Sequence, residues 1–286
     1  MLDDQALTTD QKADFSGLYQ EPDPRRYFRT LCPMGYQVPT HALPVFQAVL
    51  AGLGRRCDVL DVCCSYGING ALLRCQVSLD ELGARYADPV LSGLSTAALA
   101  GQDRGFFASR PRADRPRVLG LDASAAAIDY ATRVGTLNDG WAEDLERRSP
   151  SAALVAGLRS VGMIICTGGV GYIGPRTFSR LLDAMPDPSS LWLVVFVLRV
   201  FSYAEVAGVL GRYGLITERV PGLTVRQRRF ADRAEFDAAN HDVRALGLDP
   251  TDREATGWYY ADCYLTRPAH CPPPGLESGF ADVQRP

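Results

Sequence analysis

The chain has 286 residues, 47% hydrophobic and 22% charged, with a formal net charge of −3 at pH 7; this is the composition of a folded protein with one sizeable core, and it offers no bulk field to draw nucleic acid or an anionic membrane. A small uncharged or zwitterionic substrate is therefore expected over a polymer. Lys12 is the only lysine, which excludes lysine-based Schiff chemistry unless that residue carries it, and the eight cysteines show no paired metal-ligand spacing with only three histidines to help them, which points to free thiols in a reducing compartment.

The start, Met1-Leu2-Asp3-Asp4-Gln5, lacks the basic end and apolar core of a secretory signal. The longest strongly apolar run, Leu191 to Leu198, is far too short to span a bilayer, so a cytoplasmic location is expected. Residues 1–53 read as an amino-terminal helical extension. Its aromatics and prolines, among them Phe15, Tyr19, Tyr27, Phe28, Tyr36, Pro39 and Pro44, suit short helices draped over a fold, and such a segment is well placed to act as a lid. A helix starts near Asp23-Pro24-Arg25, and another runs from Thr40 to Leu53.

From Asp58 to Gln76 a buried strand (Val59, Leu60, Val62) ends in a small-residue turn and passes straight into a helix with Ile68, Ala71, Leu72 and Cys75 at helical spacing. A helix beginning there aims unpaired backbone N–H groups at whatever sits above the sheet. Residues 77–115 show no clear strand. They read as a helix near Leu79 to Tyr86, a second across Val90 to Leu99, and an arginine-rich surface loop, Ser109 to Pro116. Arg117 to Asp122 is a second buried strand ending in a carboxylate, with Ser124 as N-cap of an alanine-rich helix to about Val134. An acidic stretch, Asn138 to Asp144, follows. Val161 to Cys166 is the next strand, and it opens into Thr167 to Pro175, where four glycines permit a sharp turn or a close approach to a ligand. Pro175 opens a helix through Leu182, Leu191 to Leu198 is a strand buried on both faces, and Ser202 caps a helix through Arg212. Leu215 to Val220 and Gly257 to Thr266 read as further strands, the last antiparallel, and residues 267–286 as a proline-rich tail.

Strands alternating with helices imply an α/β fold with a doubly wound, largely parallel sheet whose ligands sit at the carboxyl ends of the strands. The turn after Val62, the carboxylate of Asp122 and the Thr167 to Gly174 loop all fall on that edge. At Asp61-Val62-Cys63-Cys64-Ser65-Tyr66-Gly67 the chain resembles motif I of the class I S-adenosylmethionine (SAM) dependent methyltransferases, [D/E]-x-G-x-G-x-G. Cys63 and Ser65 stand where that family has its first two glycines, and Gly67 is retained.

The resemblance implies a seven-stranded Rossmann-like SAM-binding domain over residues 54–266, preceded by the helical lid, with SAM as cofactor and no metal. In that frame Asp61 orients the methionine amino group, Cys63, Ser65, Tyr66 and Gly67 line the ligand, and Asp122 with Ala123 holds the ribose. Asn138, Asp139 or Trp141 meets the adenine, while Tyr27 of the lid and Thr167 complete the cofactor set. Tyr172 is a candidate to face the sulfonium through a cation–π contact, and His41 is a candidate general base carried on the lid. The chain has Thr167-Gly168-Gly169-Val170 where amino-group methyltransferases carry Asn-Pro-Pro-Tyr or Asp-Pro-Pro-Tyr, no basic stripe for nucleic acid, and no carboxylate cluster for Mg²⁺ after the fourth strand. The expected activity is methyl transfer to a small molecule of specialised metabolism, with a homodimer left open. The rival enzyme reading is a SAM cyclase, in which the amino group of SAM attacks its own carbon next to sulfur to give azetidine-2-carboxylate and methylthioadenosine; Asn138, Tyr172 and Ser202 are the groups of suitable type. A third reading is a non-catalytic nucleoside-binding domain.

Overall fold

The computed structural model describes residues 16–274; the expectations for Lys12, the polar leader and most of the carboxyl-terminal tail lie outside the described residues. Three helices come first, α1 (Ser16–Tyr19), α2 (Arg25–Leu31) and α3 (Val38–Gly52). α3 starts two residues before the expected point because Pro39 sits in its first turn, where a missing N–H sacrifices no hydrogen bond. Its face of Val38, Ala42, Val45, Phe46 and Val49 is buried in one core with sheet residues. Of the amino-terminal extension, then, α3 belongs to the packed body, and α2 likewise buries Tyr27, Phe28 and Leu31.

Next come β1 (Asp58–Val62), α4 (Ile68–Arg74), α5 (Leu79–Ala87), α6 (Pro89–Ser92) and α7 (Thr96–Ala108). A capping box closes the start of α5, with Ser78 Oγ accepting from the Glu81 N–H at 3.1 Å and the Glu81 carboxylate accepting from the Ser78 N–H at 2.7 Å. The helix expected across Val90 to Leu99 is two helices. Gly93 ends α6, and Ser95 caps α7 by accepting from the Ala98 N–H at 3.2 Å.

β2 (Val118–Asp122) and α8 (Ala125–Val134) match expectation, and Ser124 Oγ caps α8 through the Ala127 N–H at 3.2 Å. The acidic stretch that follows is partly a short edge strand, β3 (Asp139–Ala142), parallel to β2. Its polarity hides it in the sequence, because an edge strand has one side without a neighbour and tolerates polar residues. The remainder is α9 (Ala152–Gly157), β4 (Val161–Thr167), α10 (Pro175–Ala184), β5 (Trp192–Leu198), α11 (Ala204–Gly211), β6 (Leu215–Arg229), α12 (Arg233–Ala245) and β7 (Trp258–Pro268). β6 outruns the expected Leu215 to Val220 by a register shift between Arg219 and Thr224. α12 is an element the sequence reading does not name; Asp232 caps it through the Glu235 N–H at 2.8 Å.

The seven strands form one sheet in the order β3-β2-β1-β4-β5-β7-β6. β1 to β5 run parallel, and β7 lies antiparallel between β5 and β6. Strand order reverses at β1, whose neighbours are β2 and β4, so the crevice at a topological switch point opens above those three carboxyl ends. Separate apolar clusters fill the two faces of the sheet, and a third joins α2, α4, α5, α7 and α8. Among the described residues no helix is long and apolar enough to cross a membrane.

Candidate functional site

A cavity of about 430 Å³ lies above the carboxyl ends of β1, β2 and β4, within the range of roughly 300–1,000 Å³ usual for small-molecule sites. Its floor is the turn after β1. Cys63 has φ 58°, Ser65 φ 50° and Gly67 φ 71°. These are the three positions at which motif I carries glycine, and the backbone there is left-handed at each although two hold side chains. A non-glycine residue in that conformation costs roughly 1–2 kcal/mol, so the turn is held by its surroundings. At Gly67 glycine is required for a second reason, since a Cβ would lie 2.6 Å from Thr136 Oγ1.

The carboxylate of Asp122 ties that turn to β2. Its Oδ2 accepts from the Ser65 N–H at 2.8 Å and its Oδ1 from the Ser124 N–H at 2.9 Å. Burial raises its proton affinity, and these backbone donors oppose the rise. Asp122 therefore does more than precede a helix: it lines the cavity beside Ala123 and Ser124.

Asp61 lies below the turn with no exposure to solvent. Its Oδ1 accepts from Asn69 Nδ2 at 3.0 Å, and the same amide reaches Thr167 Oγ1 at 3.1 Å. Thr167 is in turn hydrogen-bonded to Tyr36, and Tyr36 to Tyr27. Burial pushes the Asp61 carboxyl up to about 8, with Asn69 pulling back and Asp122 adding to the rise. Burial likewise pushes Tyr36 up to about 12. Among the buried oxygens with no hydrogen-bond partner among the described residues are Asp61 Oδ2, Ser65 Oγ, and the Asn69 Oδ1 and Gln227 Oε1 amide oxygens near Thr167 and Gly168.

Tyrosines form the roof. Tyr19 from α1, Tyr27 from α2, and Tyr36 from the loop before α3 face the cavity, and Tyr172 closes it from the loop after β4 with about half its surface exposed. Tyr27 meets Tyr19, Tyr36 and Tyr66 at ring separations of 6.0 Å. The roof is pinned to the floor: the Tyr66 hydroxyl is 2.8 Å from both the Leu18 and Glu21 carbonyl oxygens, and Ser124 Oγ donates to the Tyr19 carbonyl. Beyond β3 the wall is Glu143, Asp144 and Leu145. Glu143 is committed to the start of α9, accepting from the Ser151 N–H at 2.9 Å.

Of the residues singled out from the sequence, Cys63, Ser65, Asp122, Ala123, Thr167, Tyr27 and Tyr172 line this one cavity, with Asp61, Tyr66 and Gly67 supporting its floor. Five others are elsewhere. Asn138 Oδ1 accepts from the Val118 N–H at 2.9 Å and from Arg74, which places it at the amino ends of the strands, opposite the crevice. Asp139 opens β3 at that same edge, where its carboxylate accepts from the Gly140 N–H. Trp141 lies against Gly157 of α9, in the apolar cluster on that face of the sheet. Ser202 is exposed after β5 and accepts from the Ala204 N–H at 3.3 Å. His41 is fixed on α3 with Nε2 2.9 Å from Gln37 Oε1, and burial and then Arg226 lower its proton affinity; it does not line the cavity. Missed in the sequence were Tyr19, Tyr36, Asn69 and Glu143. Asn69 had a local signal, being a polar residue two places into a helix that starts at the strand end.

The chain matches no family model and no curated protein. Among solved structures it is similar to a TehB-like SAM-dependent methyltransferase from Corynebacterium glutamicum, at 15% identity over 85% of this chain and 95% of that one, with a TM-score of 0.43. It is similar also to a SAM-dependent methyltransferase from Aquifex aeolicus, at 13% identity over 88% and 97% with a TM-score of 0.38. A third is the magnesium protoporphyrin IX methyltransferase of Synechocystis with bound SAM, at 13% identity over 80% of each chain and a TM-score of 0.36. The strand order and the turn geometry, rather than these superpositions, identify the sheet as the doubly wound, seven-stranded one that motif I implies.

Proposed function

We propose that the chain is a SAM-dependent methyltransferase acting on a small molecule. The observation that carries this reading is the convergence of the left-handed turn 63–67 and the Asp122 carboxylate on one roofed cavity, through the 2.8 Å contact between Ser65 N–H and Asp122 Oδ2. The fit to SAM is chemical. A carboxylate lining the cavity at Asp122 suits the ribose hydroxyls, unpartnered buried acceptors at Asp61, Ser65 and Asn69 suit an ammonium, and tyrosine faces suit a sulfonium. SAM supplies an electrophilic methyl on positively charged sulfur, and transfer disperses that charge, so positioning does most of the work. Asp122 and the turn hold the nucleoside; Tyr19, Tyr27 and Tyr36 exclude water and shape the space above it.

One observation favours cyclisation as a second reading. The roof is pinned over a cavity of about 430 Å³ by Tyr66 and Ser124, which suits a reaction needing no second substrate. Incubation of the purified protein with SAM alone separates the two. S-adenosylhomocysteine formed only with an added acceptor supports transfer, methylthioadenosine formed without one supports cyclisation, and absence of binding by calorimetry sinks both. Asp122→Ala should weaken SAM binding tenfold or more, the cost of a lost charge-assisted contact on the order of 1.5–3 kcal/mol; an unchanged Kd removes the ribose role.

A further inference from the structure

In the ligand-free protein the pair Asp61–Asn69 is left incompletely hydrogen-bonded. The two side chains are joined by the Asn69 Nδ2 to Asp61 Oδ1 hydrogen bond at 3.0 Å, yet the other oxygen of each, Asp61 Oδ2 and Asn69 Oδ1, is buried without a partner. The Asp61 carboxyl has no exposure to solvent, one described hydrogen-bond partner and a second oxygen with none; a proton on Oδ2 removes the charge from a group so placed. A buried carboxylate with a single partner and no cation is, by contrast, costly.

Resting on the SAM reading above, we propose that Asp61 holds a proton in the ligand-free protein and that the α-ammonium of the ligand displaces it to solvent on binding. Asn69 is then a positioning residue acting through Asp61. The groups facing Asp61 are consistent with this: Asp122 from β2, Cys64 from the turn, Tyr36 from the roof and Asn69 from α4, none of them cationic. Of these Asp122 is the group whose charge opposes ionisation of Asp61, and burial itself does so most strongly. In the complex the arriving ammonium supplies the cation that the free site lacks. Asp61 ionises, its O–H proton leaves to bulk water, and no bond of the ligand is broken.

Two measurements test this. Infrared difference spectra of wild type against Asp61→Asn, without ligand, should show a neutral carboxyl band at pH 6 that fades with a midpoint near pH 8; a carboxylate band already present at pH 6 overturns the proposal. Asn69→Leu should move that midpoint upward, because the hydrogen bond that favours the charged form is gone; an unmoved midpoint removes Asn69 from the role. Calorimetry at pH 7 in two buffers of different ionisation enthalpy then reads the proton directly. S-adenosylhomocysteine, which carries the ammonium, should release close to one proton per molecule bound, and methylthioadenosine, which lacks it, none. Asp61→Asn should abolish the release and weaken S-adenosylhomocysteine tenfold or more while leaving methylthioadenosine within about twofold. Binding of both nucleosides without proton release defeats the displacement while sparing the SAM reading. If neither binds, the SAM reading and the displacement fall together, and the infrared band still decides whether Asp61 holds a proton.

Discussion

Ser65 combines two local costs, a left-handed backbone and a hydroxyl buried without a partner among the described residues. Ser65→Gly removes both and should stabilise the ligand-free protein by about 1 kcal/mol, seen as a higher Tm; an equal or lower Tm would show the turn to be unstrained. Asp61 predicts a pH effect of definite sign. Its carboxyl sits at about 8 in the fold against an ordinary 3.8, so the folded chain binds more protons than the unfolded chain between those values. Stability from this group is full below about pH 4 and is lost as the pH rises toward 8. Asp61→Asn, which mimics the protonated form, should gain on wild type as the pH is raised from 5 to 8 in denaturant titrations. At this scale the sequence was informative where the chemistry is local. Asp61, Cys63, Ser65 and Asp122 could be placed because each stands at a strand end that its own neighbours define. Tyr36 could not, since nothing near it in the chain says that it reaches Thr167.

Among the elements, the roof is the part most open to change. α1 and α2 are short, and Tyr66 and Ser124 fasten α1 and the bend after it to the floor. Tyr66→Phe keeps the ring contacts with Tyr27 and Tyr130 and loses only the hydroxyl. We expect faster amide hydrogen exchange through residues 17–31, a local loss of about 1 kcal/mol, and an unchanged rate in β4 and β5. Uniformly faster exchange would mean that the hydroxyl supports the whole fold instead. The element boundaries also separate Asn138 and Asp139 from the cavity. Read as a loop, the stretch 138–144 has no direction; as β3 it begins at the amino edge and delivers Glu143, Asp144 and Leu145 to the crevice.

For the molecule as a whole, stability resides in the central strands, which are buried on both faces as parallel strands covered by helices must be. Phe196 of β5 has no exposed surface and meets Phe46 of α3 edge-on at 6.2 Å, joining the amino-terminal segment to the sheet. Phe196→Ala should cost about 3–5 kcal/mol in global unfolding by denaturant; a cost under 1 kcal/mol would mean that α3 repacks freely. What the sequence by itself determined was the alternation of buried strands with capped helices, and with it the sheet edge where a ligand must lie, because periodicity and caps are written within a few residues. Only the tertiary structure decided which side chains meet above that edge. Three roof tyrosines come from a segment lying before β1 in the chain, and Asn69 gains its meaning from a carboxyl eight residues away that burial, not sequence, deprives of water.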